Sequence, residues 1–186
     1  VLDYFPKEHP RRKELIDILN RLVVAVEKVQ DKKTGCWYDI LDLPERKGNY
    51  LKASASSMLV YAIAKGVRMG YVPASRLSIA QKGFDGIKKT FIKVENGQTN
   101  LHGTVKVSGL GGNPYRDGSF EYYMREPVIV NDPKGVGAFL LAASEMEQSD
   151  KFNFARGKQV ALDNFFNHET KTDAFGKTIA WHYKWT

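Results

Sequence analysis

At 186 residues, with 42% apolar side chains, 12% aromatics, a single cysteine (Cys36) and a formal net charge of +7, the chain can fill one ordinary core and is not a disordered polymer. The lone cysteine excludes an intrachain disulfide and a thiolate metal site, and the lack of any run of about 18 uncharged apolar residues excludes a helical membrane span. Excess positive charge points to an anionic partner, yet Lys and Arg are scattered without a nucleic-acid signature, so a solvated basic surface is the better account.

The first strong period is Leu15, Leu19, Leu22, Val26 and Val29. With Pro10 as a first-turn residue, these steps of three and four predict an amphipathic helix over about 10–30. The segment SASSMLVYAIAKGVRM, 54–69, is apolar almost all round beyond its serines and stops at Gly70, with Pro73 just after. It predicts a buried second helix in which Ser54, Ser56 and Ser57 act as caps rather than nucleophiles, since no Gly-x-Ser-x-Gly elbow surrounds them. Ser75 is placed to cap a third, amphipathic helix with the stripe Leu77, Ala80, Phe84, Ile87 and Phe91. A fourth starts at Asp132-Pro133, an N-cap followed by a first-turn proline, and continues through Val136, Phe139, Leu140, Leu141 and Met146. It too reads as buried. Past about 151 the period weakens, and VALDNFFNHE and TIAWHYKW, separated by KTDAFGK, read as a β-hairpin.

Amphipathic and all-round apolar helices thus alternate, as outer and inner members do in an α/α toroid. Two helical hairpins do not close such a ring, so the chain reads as part of a barrel. The link between the second and third helices is about five residues, whereas 31–53 and 94–131 are long, and long connections inside a domain are usually functional. Antiparallel succession puts both at one end, where a site is expected.

GNYLKASASSMLVYAIAKGVRMGYV, GLGGNPYRDGSFEYYMREPVIVNDPKGVGAFLLAASEME and AWHYKWT together resemble the C-terminal half of unsaturated rhamnogalacturonyl hydrolases, glycoside hydrolase family 105, with the unsaturated glucuronyl hydrolases of family 88 as more distant relatives. The resemblance implies a mainly α fold: a partial (α/α)6 barrel with the small C-terminal β-hairpin, in which 1–186 is the C-terminal portion of one domain and the N-terminal portion is missing. It implies a bacterial, pectin-degrading activity, release of a 4,5-unsaturated galacturonyl residue from acidic oligosaccharides by hydration of the vinyl ether, with no metal or organic cofactor. The family's catalytic aspartate lies upstream of the matched segments, so no catalytic residue is expected in this chain and 1–186 alone is expected to be inactive. An alternative is a non-catalytic, self-associating module that binds acidic oligosaccharide. Partnership is then with the sugar and with either a second copy or an N-terminal half. VLDYFPKEHP has no signal-peptide order, and the compartment stays open between bacterial cytoplasm and periplasm.

Among the long-loop residues, Arg116 and Lys134 are candidates for the substrate carboxylate, a forked guanidinium and a point ammonium. Against this, Arg116 has Asp117 and Glu121 close in sequence. Tyr115, Tyr122, Tyr123 and Trp37 offer the flat, polar-tipped faces of a carbohydrate subsite, or glue for a long loop. His102, in TNLHGT, is the one histidine on a long loop; His9, His102, His168 and His182 are too dispersed for zinc. Asp132 is better read as a cap than as an acid. Gly109, Gly111, Gly112 and Gly118 lack dinucleotide spacing and are expected to let the backbone turn tightly and approach a ligand.

Overall fold

Helix α1 spans Arg12–Lys28, with Glu14 in its first turn and Lys28 in its last, both on the favourable side of the helix dipole. Its buried positions are Val23 and Val26, with Leu19 and Val29 packed behind, while Leu22 is 48% exposed beside Ile18 and Val24. The expected stripe is therefore rotated by one residue at Leu22. The cause lies on the facing helix and the link that follows it: Leu19 reaches a helical glycine, Gly66, and Asn20 Nδ2 donates 2.7 Å to Tyr71 O in the link, which turns the 19–23–26 edge inward.

The computed structural model describes the backbone of residues 1–155 and the side chains of 1–149. Val1–Glu147 form one unit; of the second, Gln148–Thr186, the described part is the end of a helix.

Helix α2 spans Ala53–Arg68 and is buried at Ala53, Ser54, Ser56, Ser57, Val60, Ile63, Ala64, Gly66 and Val67. The three serines are inside the helix, not caps: the N-cap position is Lys52 and makes no side-chain cap bond. Small hydroxyls are used here for close packing and for one buried bond, Trp37 N donating 3.0 Å to Ser56 Oγ. The helix ends as its sequence promises. Gly70 takes φ +74°, its N–H donates to Val67 O, and Tyr71 N donates 2.8 Å to Gly66 O, closing a Schellman turn that a left-handed glycine permits.

A five-residue link, 69–73, leads to the 3-10 turn Ala74–Arg76 and helix α3, Leu77–Phe91. Ser75 does not cap it, because it lies within the 3-10 turn and no side-chain cap bond forms at either start. The stripe holds at Leu77, Ala80, Ile87 and Phe91, with Phe84 half-buried against Phe139 at 6.0 Å. Gly83 and Gly86 complete the face: a Cβ at Gly83 would meet Val60 and Trp37 at 2.8 and 2.9 Å, so α3 approaches its neighbours only as glycine.

What reads as one long loop before the last helix contains ordered pieces. Strands β1 (Ile92–Glu95) and β2 (Gln98–Leu101) pair antiparallel across Asn96-Gly97, both at positive φ, the preferred chemistry of a two-residue hairpin turn. Strand β3 (Thr104–Val105) pairs with β4 (Val128–Ile129), enclosing helix α4 (Phe120–Arg125). Helix α5, Pro133–Ala155, starts as predicted, with Asp132 Oδ1 accepting from Lys134 N at 2.9 Å. It is not buried all round. Ala138, Ala142, Ala143 and Met146 face inward, and Leu140 and Leu141 are 58% and 54% exposed. Small residues bring one face close, and a buried Glu145 paired with Arg68 ties it to α2. The described residues are mainly helical with two small two-stranded sheets. Among the described residues no helix is long and apolar enough to cross a membrane. The C-terminal hairpin expectation falls on residues outside those described.

Two turn carboxylates contribute to an acid limit, alongside Asp3 and Asp31, which are depressed as well. Lys134 and the backbone at the start of α5 hold the Asp132 pKa below the ordinary 3.8, and the Ser119 backbone and hydroxyl do the same for Asp117. A depressed folded-state pKa contributes stability that is present above the unfolded value and lost as pH falls through the folded one. Urea midpoints should therefore hold from neutral pH down to about pH 4 and decline below it. In Asp132→Asn the decline should be shallower, and an identical acid limb in that variant would contradict the assignment.

Candidate functional site at the connector rim

The first long connector folds back on itself through a Tyr38–Leu51 bridge, with Asp39 N donating 2.8 Å to Tyr50 O and Lys52 N donating 2.9 Å to Trp37 O. The second connector meets it repeatedly. Ala53 N donates 2.8 Å to Gly103 O, and Lys52 Nζ donates 3.2 Å to Ser108 Oγ. Arg46 pairs with Glu121 at 2.6 Å while lying 3.8 Å above the Phe120 ring. The two connectors thus share one end of the helices, as antiparallel succession requires.

At their junction sits an ion pair largely removed from water: Lys52 and Asp39 side chains are 13% and 4% exposed, with Nζ and Oδ1 2.5 Å apart. Asp39 Oδ2 and the Tyr50 hydroxyl are buried beside it, neither with a well-formed hydrogen bond. Burial, and then the Asp39 charge, push the Tyr50 phenol well above its ordinary range, so it stays protonated. Removing either member of such a pair leaves a buried charge alone, which costs more than the pair contributes.

One residue on from Ser108, the chain GLGGNPYR makes a tight hairpin closed by a Gly111–Arg116 bridge. Its glycines do approach something closely, and it is Arg116. A Cβ at Gly109 would stand 2.9 Å from Arg116 Cδ, and one at Gly112 would stand 2.9 Å from Nη1. Among the described residues the guanidinium makes one hydrogen bond, Nη1 donating to Gly111 O at 3.4 Å. Neither nearby acid takes it: Asp117 Oδ1 accepts from Ser119 N and Oγ, and Glu121 pairs with Arg46. Among the described residues Arg116 has no carboxylate partner, and the neighbouring Tyr115 is 78% exposed.

The other candidates lie elsewhere. Trp37 is a correction: it is fully buried, with Nε1 donating 2.8 Å to Val26 O, so its ring is core and presents no face to a sugar. Its indole was the largest apolar payload available where α1, α2 and α3 converge. Tyr122 is 8% exposed, and its hydroxyl accepts from Gly109 N at 3.2 Å, which tethers the hairpin. Tyr123 packs against it at 4.9 Å. Lys134 Nζ is engaged by Asp132, 2.6 Å from Oδ1, and His102 Nε2 lies 3.3 Å from Glu95 Oε2 on the β1–β2 hairpin. Sequence reasoning missed Asp39, Tyr50, Lys52 and Ser108. The alternation around 37–52 carries no periodic signal that would pair Asp39 with Lys52 across a single bridge. No group of three or more His, Cys, Asp or Glu that could hold a metal occurs among the described residues.

The model of Glycosyl Hydrolase Family 88 matches residues 1–150. The chain belongs to that family. It is similar to the protein Atu3128 of Agrobacterium fabrum and to a 24.9 kDa protein in the picA locus of Rhizobium radiobacter, 35% identical to each over 139 residues. That match takes in 71% of this chain and 59% of each relative, so the family 88 chain spans well under two thirds of their length. Among solved structures it resembles a family 105 glycoside hydrolase from C. acetobutylicum at 50% identity and a TM-score of 0.77, covering 79% of this chain and 41% of that one. It also resembles a family 88 glycosyl hydrolase from Bacteroides vulgatus in fold, with 22% identity, a TM-score of 0.61, and 80% and 39% of the two chains covered.

Proposed function

We propose that this family 88 chain forms one wall of the cleft of a glycosidase built on an α/α toroid, which releases a 4,5-unsaturated galacturonyl residue from rhamnogalacturonan oligosaccharides. The observation that carries this reading is Arg116: a forked cation on a rim hairpin with no carboxylate partner among the described residues, in a chain of glycoside hydrolase lineage. A guanidinium suits a uronate carboxylate because two parallel N–H groups match its two oxygens. The exposed Tyr115 beside it offers an aromatic face to a pyranose. In the reaction, a proton adds to C4 of the vinyl ether and water adds to C5. The resulting hemiketal opens, and the aglycone departs with its oxygen. None of the carboxylates at the connector rim is assigned the proton transfer; this chain's contribution is to bind and orient the acid.

The test is optical. The full-length gene product, incubated with an unsaturated rhamnogalacturonan disaccharide, should abolish the ultraviolet absorbance of the conjugated uronyl group and leave the saturated disaccharide intact. Stable absorbance with folded protein overturns the reading. A second reading, a non-catalytic acidic-oligosaccharide module that self-associates, is favoured by the apolar side chains left in water at Ile18, Leu22, Val24, Leu140 and Leu141. It requires binding of the disaccharide with no loss of absorbance, and a dimer in solution.

A further inference from the structure

We infer that Lys52 is a positioning residue for uronate recognition: held by Asp39, it fixes through Ser108 the backbone on which Arg116 lies. The inference rests on the reading of Arg116 as the partner of the uronate carboxylate. Among the described residues the Arg116 side chain makes a single long hydrogen bond, 3.4 Å to Gly111 O, so its own bonding does little to aim the guanidinium. Its aim comes from the surface beneath its stem, which is Gly109. That residue is gripped on both sides. Its own N–H donates 3.2 Å to Tyr122 Oη from α4, and the preceding Ser108 Oγ accepts 3.2 Å from Lys52 Nζ, on the other connector. Lys52 in turn cannot wander, because Asp39 holds its ammonium at 2.5 Å in a pocket that excludes most water, where a charge-assisted bond is strong and directional. The chain of contacts Asp39, Lys52, Ser108, Gly109, Arg116 therefore transmits the position of the first connector to a cation on the second. A misplacement of about 1 Å at such a contact is enough to weaken recognition substantially.

Ser108 is exposed, so Ser108→Ala removes the link while leaving the buried pair intact. In the gene product it should raise KM for the unsaturated disaccharide about three- to tenfold, the effect of one lost hydrogen bond. kcat and the melting temperature should stay unchanged, and Ser108→Thr, which keeps the hydroxyl, should restore KM. The double variant Asp39→Asn/Lys52→Gln, which leaves no buried charge unpaired, should raise KM in the same direction. If the protein binds without turnover, Kd from calorimetry with the same disaccharide replaces KM. A wild-type value in Ser108→Ala, alongside a raised value in Arg116→Ala, overturns the positioning role and leaves the uronate reading standing. A wild-type value in both overturns the uronate reading and this inference with it.

Discussion

Arg116→Ala should raise KM for the unsaturated disaccharide by roughly ten- to a hundredfold with kcat nearly unchanged. A hydrogen bond to a charged group contributes about 1.5–3 kcal/mol, and each 1.4 kcal/mol is a tenfold change in affinity. The interaction holds a carboxylate whose charge is the same in the ground and transition states, so its loss weakens both alike and appears in KM. Arg116→Lys should recover only part, since an ammonium cannot fork. Stability is expected to change little, because among the described residues the guanidinium has no ion pair to lose and one long bond to a backbone carbonyl. Unchanged kinetics in Arg116→Ala would remove the residue from the site.

The largest stability effect is expected at Trp37. Its side chain is fully buried, its indole N–H donates to Val26 O on α1, its backbone N–H is bonded to Ser56 on α2, and its ring fills the space left by Gly83 on α3. Truncating such a residue costs about 3–5 kcal/mol for lost burial plus the cavity left behind, out of a total of about 5–15 kcal/mol for a domain. Trp37→Ala should therefore be unfolded or close to it at 37 °C. Trp37→Phe separates the contributions: it keeps much of the volume and removes one of two donors to the Val26 carbonyl, which still accepts from Val29 N, at a cost of about 0.5–1.5 kcal/mol for the lost bond. Urea midpoints by circular dichroism measure both. A loss below about 1 kcal/mol in Trp37→Ala would mean that the three helices do not depend on this hub.

The helices were legible because their signals are local and redundant. Asp132-Pro133 and Gly70 carry their own boundary chemistry, and the stripe on 77–91 repeats often enough that one half-buried Phe84 does not blur it. Leu22 went wrong because α1 offers two apolar edges, and the choice between them is made by Gly66 and Tyr71 on another element. The Ser54, Ser56 and Ser57 reading failed for a related reason: a serine near a helix start suits a cap, yet it also suits a tight interface, and only the partner Trp37 decides. Asn96-Gly97 was legible and passed over, a two-residue turn inside what looked like plain loop. Arg116 was singled out by its chemistry and its place on a long loop. The Asp39–Lys52 pair was not, because its meaning depends on a bridge between 38 and 51 and on a serine more than fifty residues away.

The junction of the two connectors also bears on transplantation. Because the hairpin with Arg116 takes its orientation from Lys52 and Arg46 on a separate stretch of chain, residues 104–131 are not a self-sufficient cassette. A chimera that grafts them onto another helical scaffold must bring 37–52 as well. Otherwise the swapped tip has its glycines and its arginine but no frame of reference for where they point.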